Sequence, residues 1–184
     1  MEFTKSVCVY CGSRAGAQPA YAQAARDTGT MLARNSWRLV YGAGDVGLMG
    51  LVANATQQQG GKTFGVIPVH LLDWEVGKRD LDQFVITENM HERKKVMYMN
   101  ADAVAVLPGG AGSMDEFFEV LTWRQLGLHD KPIVLVNVAG YWDPLLTMLD
   151  RMISEGFAEK SLLGYISTVP DVAALETTLR DALS

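Results

Sequence analysis

Residues 102–116 read Asp-Ala-Val-Ala-Val-Leu-Pro-Gly-Gly-Ala-Gly-Ser-Met-Asp-Glu, and no other stretch limits the fold of this chain so tightly. Ala103 to Leu107 is an apolar run of buried-strand length. Pro108, Gly109, Gly110 and Gly112 then break the chain, and Ser113 opens a helical pattern through Met114, Phe117, Phe118, Val120 and Leu121. A strand that feeds a helix through a short glycine turn is the building unit of a parallel α/β sheet. It is also an anion site. Glycines let the backbone approach a ligand without Cβ clashes. The first helical N–H groups lack intrahelical partners, and the helix dipole adds a partial positive charge at the same spot. The expected ligand group is a phosphate.

Ser113 and Glu116 admit two readings. Ser-x-x-Glu is the capping-box pattern, in which the two side chains satisfy each other's backbone N–H groups. Alternatively Glu116, one helical turn beyond the phosphate-facing residues, sits where a sugar attached to that phosphate would lie. A carboxylate near a helix N-terminus is favoured over its acid. Glu116 then suits stabilising positive charge or orienting a water better than donating a proton.

Strand-like and helical runs alternate along the whole chain. Val7–Cys11, Trp37–Tyr41, Thr63–Ile67, Ala103–Leu107 and Ile133–Asn137 are short and rich in β-branched or aromatic residues, with Phe84–Thr87 and Tyr165–Val169 as lesser candidates. Helical stretches fall at Pro19–Arg34, Val46–Gln59, Met90–Asn100, Ser113–Leu126, Asp143–Ser154 and Asp171–Leu183. This order predicts an α/β fold: one Rossmann-like domain over residues 1–184, its mostly parallel sheet covered by helices on both faces. Ligands bind beyond the carboxyl ends of the strands in such sheets. Gly12-Ser13, Gly42–Gly47 and Gly109–Ser113 all follow strand ends and are expected to converge there. Val69 to Gln83 is the longest loop, a length that often carries function.

The formal charge of −5 and the lack of a basic run argue against nucleic acid or an anionic membrane as partner. No apolar stretch approaches membrane-spanning length, and the first residues lack a basic-then-apolar signal pattern. A cytoplasmic protein is expected. Cys8 and Cys11 form C-x-x-C, but on a strand rather than at a helix N-terminus, so redox chemistry is not expected. His70, His91 and His129 are scattered and no second cysteine pair exists, so no metal is expected.

Gly42-Ala43-Gly44-Asp45-Val46-Gly47 matches G-x-G-x-x-G. It follows the second strand rather than the first, and no acid stands about twenty residues on at 62–66 for a ribose hydroxyl. A backbone approach to a different nucleotide, or a plain strand-to-helix turn, remain as readings. Met90-His91-Glu92-Arg93-Lys94-Lys95-Val96-Met97 is a helix with apolar residues on several sides, as at a subunit interface. A charged Arg93 within it needs a partner: an internal carboxylate, or a ligand oxygen or Glu116.

Three segments taken together, Gly42–Gly50, Met90–Lys94 and Pro108–Glu116, resemble the signatures of the LOG (Lonely Guy) family, in order and at the right spacing over nearly the whole chain. The resemblance implies a Rossmann-like homodimer with active sites shared between subunits and no cofactor. It implies hydrolysis of cytokinin riboside 5′-monophosphates to free base and ribose 5-phosphate. The family's older label, lysine decarboxylase, is set aside because nothing in the sequence provides a pyridoxal phosphate lysine site.

Carried over by position, the resemblance makes Arg93 and Glu116 the catalytic pair and Gly110 to Ser113 the phosphate turn. Gly109, Ala111, Gly112, Met114 and Asp115 join that turn at the substrate. Met90 and Lys94 come from the basic helix, Glu75 from the long loop and Thr122 from further along the last helix. Ser13, Gly44 and Asp45 come from the other strand ends. Two departures stand out, Ser113 for the family's usual Thr and Ala43 for its usual Gly. Two other functions compete: a general AMP or dAMP nucleosidase, and a carrier of nucleotide or molybdenum cofactor without hydrolysis.

Overall fold

The computed structural model describes residues 3–72 and 77–184. Strands and helices alternate as β1 (Lys5–Tyr10), α1 (Pro19–Arg34), β2 (Trp37–Tyr41), α2 (Gly47–Gln58), β3 (Thr63–Pro68), β4 (Gln83–Thr87), α3 (Met90–Met99), β5 (Ala103–Val106), α4 (Ala111–Gln125), β6 (Ile133–Val136), α5 (Asp143–Ser154), β7 (Ser167–Val169) and α6 (Val172–Leu183). Short 3₁₀ turns follow β3 at Val69–Leu71 and β6 at Val138–Gly140, and a third spans Lys160–Tyr165.

Among the described residues the sheet has seven strands in the order β4-β3-β2-β1-β5-β6-β7. Every neighbouring pair is parallel. Each strand that both layers cover must be apolar on both sides, which is why the strands read as continuous hydrophobic runs. Along β1 and just past it, Val7, Val9 and Cys11 enter one core with Leu32 of α1, Val52 of α2 and Leu175 of α6. Cys8 and Tyr10 enter the other with Met97 of α3, Phe117 of α4 and Leu149 of α5. The strand period of two thus deals alternate residues to two helical layers.

Helices α1 and α2 touch backbone to backbone at Gly29, where a Cβ would stand 2.3 Å from the Val52 carbonyl oxygen. The strand order reverses between β1 and β5, so the crevice for a ligand lies where the loops after these two strands part.

Candidate active site

Three turns meet at that crevice and are laced by their own backbone. The Gly12 N–H donates to the Pro108 carbonyl and the Leu48 N–H donates to the Gly12 carbonyl, both at 3.0 Å. A Cβ on Gly47, which has φ +60°, would lie 2.3 Å from Ser13 backbone atoms. The turns after β1, β2 and β5 therefore converge as the sequence predicts.

Helix α4 begins at Ala111 with Gly110 as its N-cap, and no side chain caps it. This corrects the helix start at Ser113 and removes the capping-box reading. Ser113 occupies the third helical position and Glu116 the sixth, too deep to cap the first N–H groups. The flat glycine turn lets Gly110 take the extended cap conformation itself, with φ −94° and ψ −156°. Space is open where Gly110 and Gly112 would carry a Cβ. Gly109 differs: a Cβ there would meet the Ser113 Oγ at 2.1 Å. The buried Ser113 side chain packs back on Gly109, and the Tyr141 hydroxyl donates to the Gly109 carbonyl from the loop after β6.

Helix α3 starts at Asn89, whose side chain accepts the Glu92 N–H at 3.0 Å. That cap places Arg93 at the start of the second turn, facing the sheet. Arg93 is only 4% exposed. Its Nη2 donates to the Gly42 carbonyl at 2.6 Å and its Nε to the Val66 carbonyl at 3.1 Å. Two of the contacts that hold this cation are thus carbonyls at the carboxyl ends of β2 and β3. The Gly42 position requires a glycine, because a Cβ would lie 2.3 Å from Arg93 Nη2.

Arg93 and the half-buried Glu116 line one cavity of about 230 Å³ with Ser13, Met90, Gly110, Ala111, Gly112 and Ser113. Cys11, Gly12, Met49 and Leu71 complete the lining. The lining thus combines the polar glycine turn with two methionines and a leucine. The negative charge of Glu116 reaches the neighbouring strand: burial first, and then this charge, pushes the Cys8 and Cys11 thiols far above their ordinary range. Both stay protonated and free, which removes redox chemistry from this pair. A second cavity, about 630 Å³, opens across the same turn between Arg14, Tyr21, Leu48, Gly109 and Tyr141.

Other expected site residues stand elsewhere. Lys94 Nζ lies 2.9 Å from Asp115 Oδ2 and 2.8 Å from Glu119 Oε2, so Lys94 and Asp115 are partners of each other. Met114 and Thr122 lie on the exposed side of α4, outside the cavity lining. Gly44 is buried, and a Cβ on it would strike Met49 at 2.5 Å. Asp45 pairs with the buried Lys78 at 3.5 Å, and Lys78 also pairs with Asp80 at 2.9 Å. The G-x-G-x-x-G glycines thus let protein atoms approach closely. Glu75 lies outside the described residues.

Sequence reasoning missed Cys11, Met49, Leu71, Lys78, Glu119 and Tyr141. Only Cys11 carried a usable signal, its place just past the end of β1 beside Gly12. Among the described residues no group of three or more His, Cys, Asp or Glu could hold a metal ion, and no helix is long and apolar enough to cross a membrane.

Comparison with solved structures gives the same architecture. The molybdenum cofactor carrier protein of Chlamydomonas reinhardtii superposes with a TM-score of 0.75, covering 98% of each chain at 19% identity. At that identity the likeness is one of fold. Sequence comparison is more specific. The family described as "possible lysine decarboxylase" matches residues 49–179. The cytokinin riboside 5′-monophosphate phosphoribohydrolase LOG5 of Arabidopsis thaliana is 41% identical over 179 residues, which span 95% of this chain and 78% of that protein. LOG7 of the same plant is 42% identical over 98% of this chain and 85% of its own length. LOG of Oryza sativa subsp. japonica is 41% identical over 96% of this chain and 73% of its own. With an Arg–Glu pair facing an uncapped glycine turn, and with identity of this extent over nearly its full length, the chain belongs to the LOG (Lonely Guy) family of cytokinin riboside 5′-monophosphate phosphoribohydrolases.

Proposed function

We propose that this protein hydrolyses the N-glycosidic bond of cytokinin riboside 5′-monophosphates, giving the free base and ribose 5-phosphate. The observation that carries the reading is the meeting of Arg93 and Glu116 in one cavity beside the uncapped start of α4. The first N–H groups of α4 take the 5′-phosphate. Glu116, three residues along the helix from Ser113, then stands by the ribose. As the bond from C1′ to the base nitrogen breaks, positive charge develops on the sugar, and a carboxylate held nearby stabilises it. The oxygen of one water bonds to C1′. One of its protons stays on the new hydroxyl and the other ends on the departing base.

A guanidinium presents a fixed fork of N–H donors and no acceptor, so Arg93 orients and polarises. Met49, Leu71 and Met90 offer the base an apolar surface. Among the described residues no lysine lines the cavity, so the decarboxylase description does not suit it. The buried Lys78 and Lys94 both have carboxylate partners that hold their ammonium groups above the ordinary range, against the opposing effect of burial.

The test is incubation with AMP, dAMP, isopentenyladenosine 5′-monophosphate and the matching nucleoside, followed by chromatography. Free base from the monophosphates and none from the nucleoside is expected, fastest for the N6-modified nucleotide. Equal or faster release from AMP would move the assignment to a general nucleosidase. Intact nucleotide after binding would move it to a carrier.

The functional unit is proposed to be a homodimer. The cavity, about 230 Å³, falls below the roughly 300–1,000 Å³ of a typical ligand pocket. The helices that carry Arg93 and Glu116 expose apolar side chains, Met99 of α3 at 64%, Met114 of α4 at 38% and Leu126 just past α4 at 67%. A second subunit on that face would cover these side chains and add a wall. Sedimentation should give a species of twice the 20.1 kDa chain mass; a lone monomer at working concentration refutes the dimer.

A further inference from the structure

Lys94 follows Arg93 on α3, yet it has no place in the cavity lining. It is 5% exposed, and its ammonium sits between Asp115 at 2.9 Å and Glu119 at 2.8 Å. These acids are four residues apart on α4 and therefore share a face. Like charges at that spacing repel, and Glu116 lies between them in sequence, so three carboxylates crowd five residues of one helix. A buried ammonium without partners would be far more unfavourable. Each half of the cluster needs the other.

The position of the cluster gives it a consequence. Arg93 is tied to the ends of β2 and β3, whereas Glu116 rides on α4, which hangs from β5 through the glycine turn. The two groups thus belong to different helices, and their spacing depends on what joins those helices. Lys94 joins them at the level of the site, from the residue next to Arg93 to the residues flanking Glu116. A further contact, the edge-to-face pair of Tyr98 and Trp123 with ring centroids 5.0 Å apart, lies a turn or more further along both helices.

We propose that Lys94, held by Glu119 and Asp115, is a positioning residue that fixes the separation of Arg93 from Glu116, and does not itself touch the substrate. This rests on the hydrolase reading of the site.

The experiment compares Lys94→Met, Lys94→Arg, Glu119→Gln and Asp115→Asn with wild type by steady-state kinetics, calorimetric affinity for AMP and amide hydrogen exchange. Lys94→Met is expected to lower kcat about 100-fold, the size of effect a misplaced group gives, with KM and AMP affinity within about threefold because the phosphate turn is untouched. Lys94→Arg should restore most of the loss. Glu119→Gln should cost more than Asp115→Asn, because the Glu119 side chain is 21% exposed and that of Asp115 is 60% exposed.

A raised KM at unchanged kcat in Lys94→Met would make Lys94 a substrate contact and overturn the proposal. Wild-type kcat in both Lys94→Met and Glu119→Gln would overturn it too, and Glu119→Gln alone decides if Lys94→Met does not fold. Amide exchange separates this failure from that of the hydrolase reading. If wild type releases no base, faster exchange in α3 and the first turns of α4 of Lys94→Met, with AMP still bound, keeps the pin and retires the reaction. Unchanged exchange there removes the pin whatever the activity.

Discussion

Glu116→Gln should retain nucleotide binding and lose turnover by about 10²–10⁴-fold, the range for removing one positioned acid–base or charge-stabilising group. Glutamine keeps the shape of the side chain and both heavy-atom positions but not the charge. The phosphate contacts are expected from backbone N–H groups at the start of α4, which this change leaves alone. Affinity for AMP should therefore stay within a few-fold, or rise slightly as repulsion between the carboxylate and the phosphate disappears. Single-turnover measurement with isopentenyladenosine 5′-monophosphate, with calorimetry on the same samples, checks both halves. Turnover close to wild type would remove Glu116 from the chemistry. Lost affinity with unchanged turnover of bound nucleotide would make it a binding residue. The Cys8 and Cys11 thiols offer no substitute nucleophile, because burial, the larger cause of their raised range, still acts on both once the Glu116 charge is gone.

Arg93→Ala should damage stability and activity together. The guanidinium supplies donors to the Gly42 and Val66 carbonyls in a buried setting. Removing it strands both acceptors, at about 1–3 kcal/mol each, and leaves a cavity where the side chain packed. A loss of about 2–5 kcal/mol in urea denaturation is expected. Arg151→Ala is the contrast: that arginine is 70% exposed and paired one turn along its own helix, so its loss should cost about 0.5 kcal/mol or less. Turnover per folded Arg93→Ala molecule should fall at least about 100-fold. Lysine cannot span two carbonyls with a planar fork, so Arg93→Lys should recover part of the stability and little of the turnover. An Arg93→Ala protein as stable as wild type would show that these hydrogen bonds contribute nothing to the fold.

The inner strands were legible because each is buried on both faces and is therefore a short apolar run between glycine or polar breaks, whereas the partly exposed edge strands β4 and β7 read more weakly. Trp37–Tyr41 and Pro19–Arg34 match the observed elements end for end. The start of α4 was not legible. Ser113 and Glu116 carry a true capping signature, and nothing in sequence says that a glycine three residues before Ser113 will outrank it. The Arg93 and Glu116 pairing came from motif resemblance, while its setting came only from three dimensions. Arg93 is held in part by carbonyls, which every residue possesses and no pattern marks. Lys94 finds acids 21 and 25 positions away, a pairing fixed by how two helices cross. Gly44 and Asp45 read as ligand contacts because G-x-G-x-x-G usually means close backbone approach. Here the approach is real, but Met49, Ser13 and Lys78 make it.

The carbonyl anchors of Arg93 bear on how such a site can drift. An acceptor supplied by the main chain survives almost any change of the side chain that carries it. Position 66 can exchange valine for another strand former while its oxygen stays 3.1 Å from Nε. Position 42 has no such liberty, since any side chain would collide with the guanidinium it serves. Of two atoms doing the same work, one tolerates mutation and the other forbids it. Library selection at these two codons should therefore return a broad apolar set at 66 and glycine at 42.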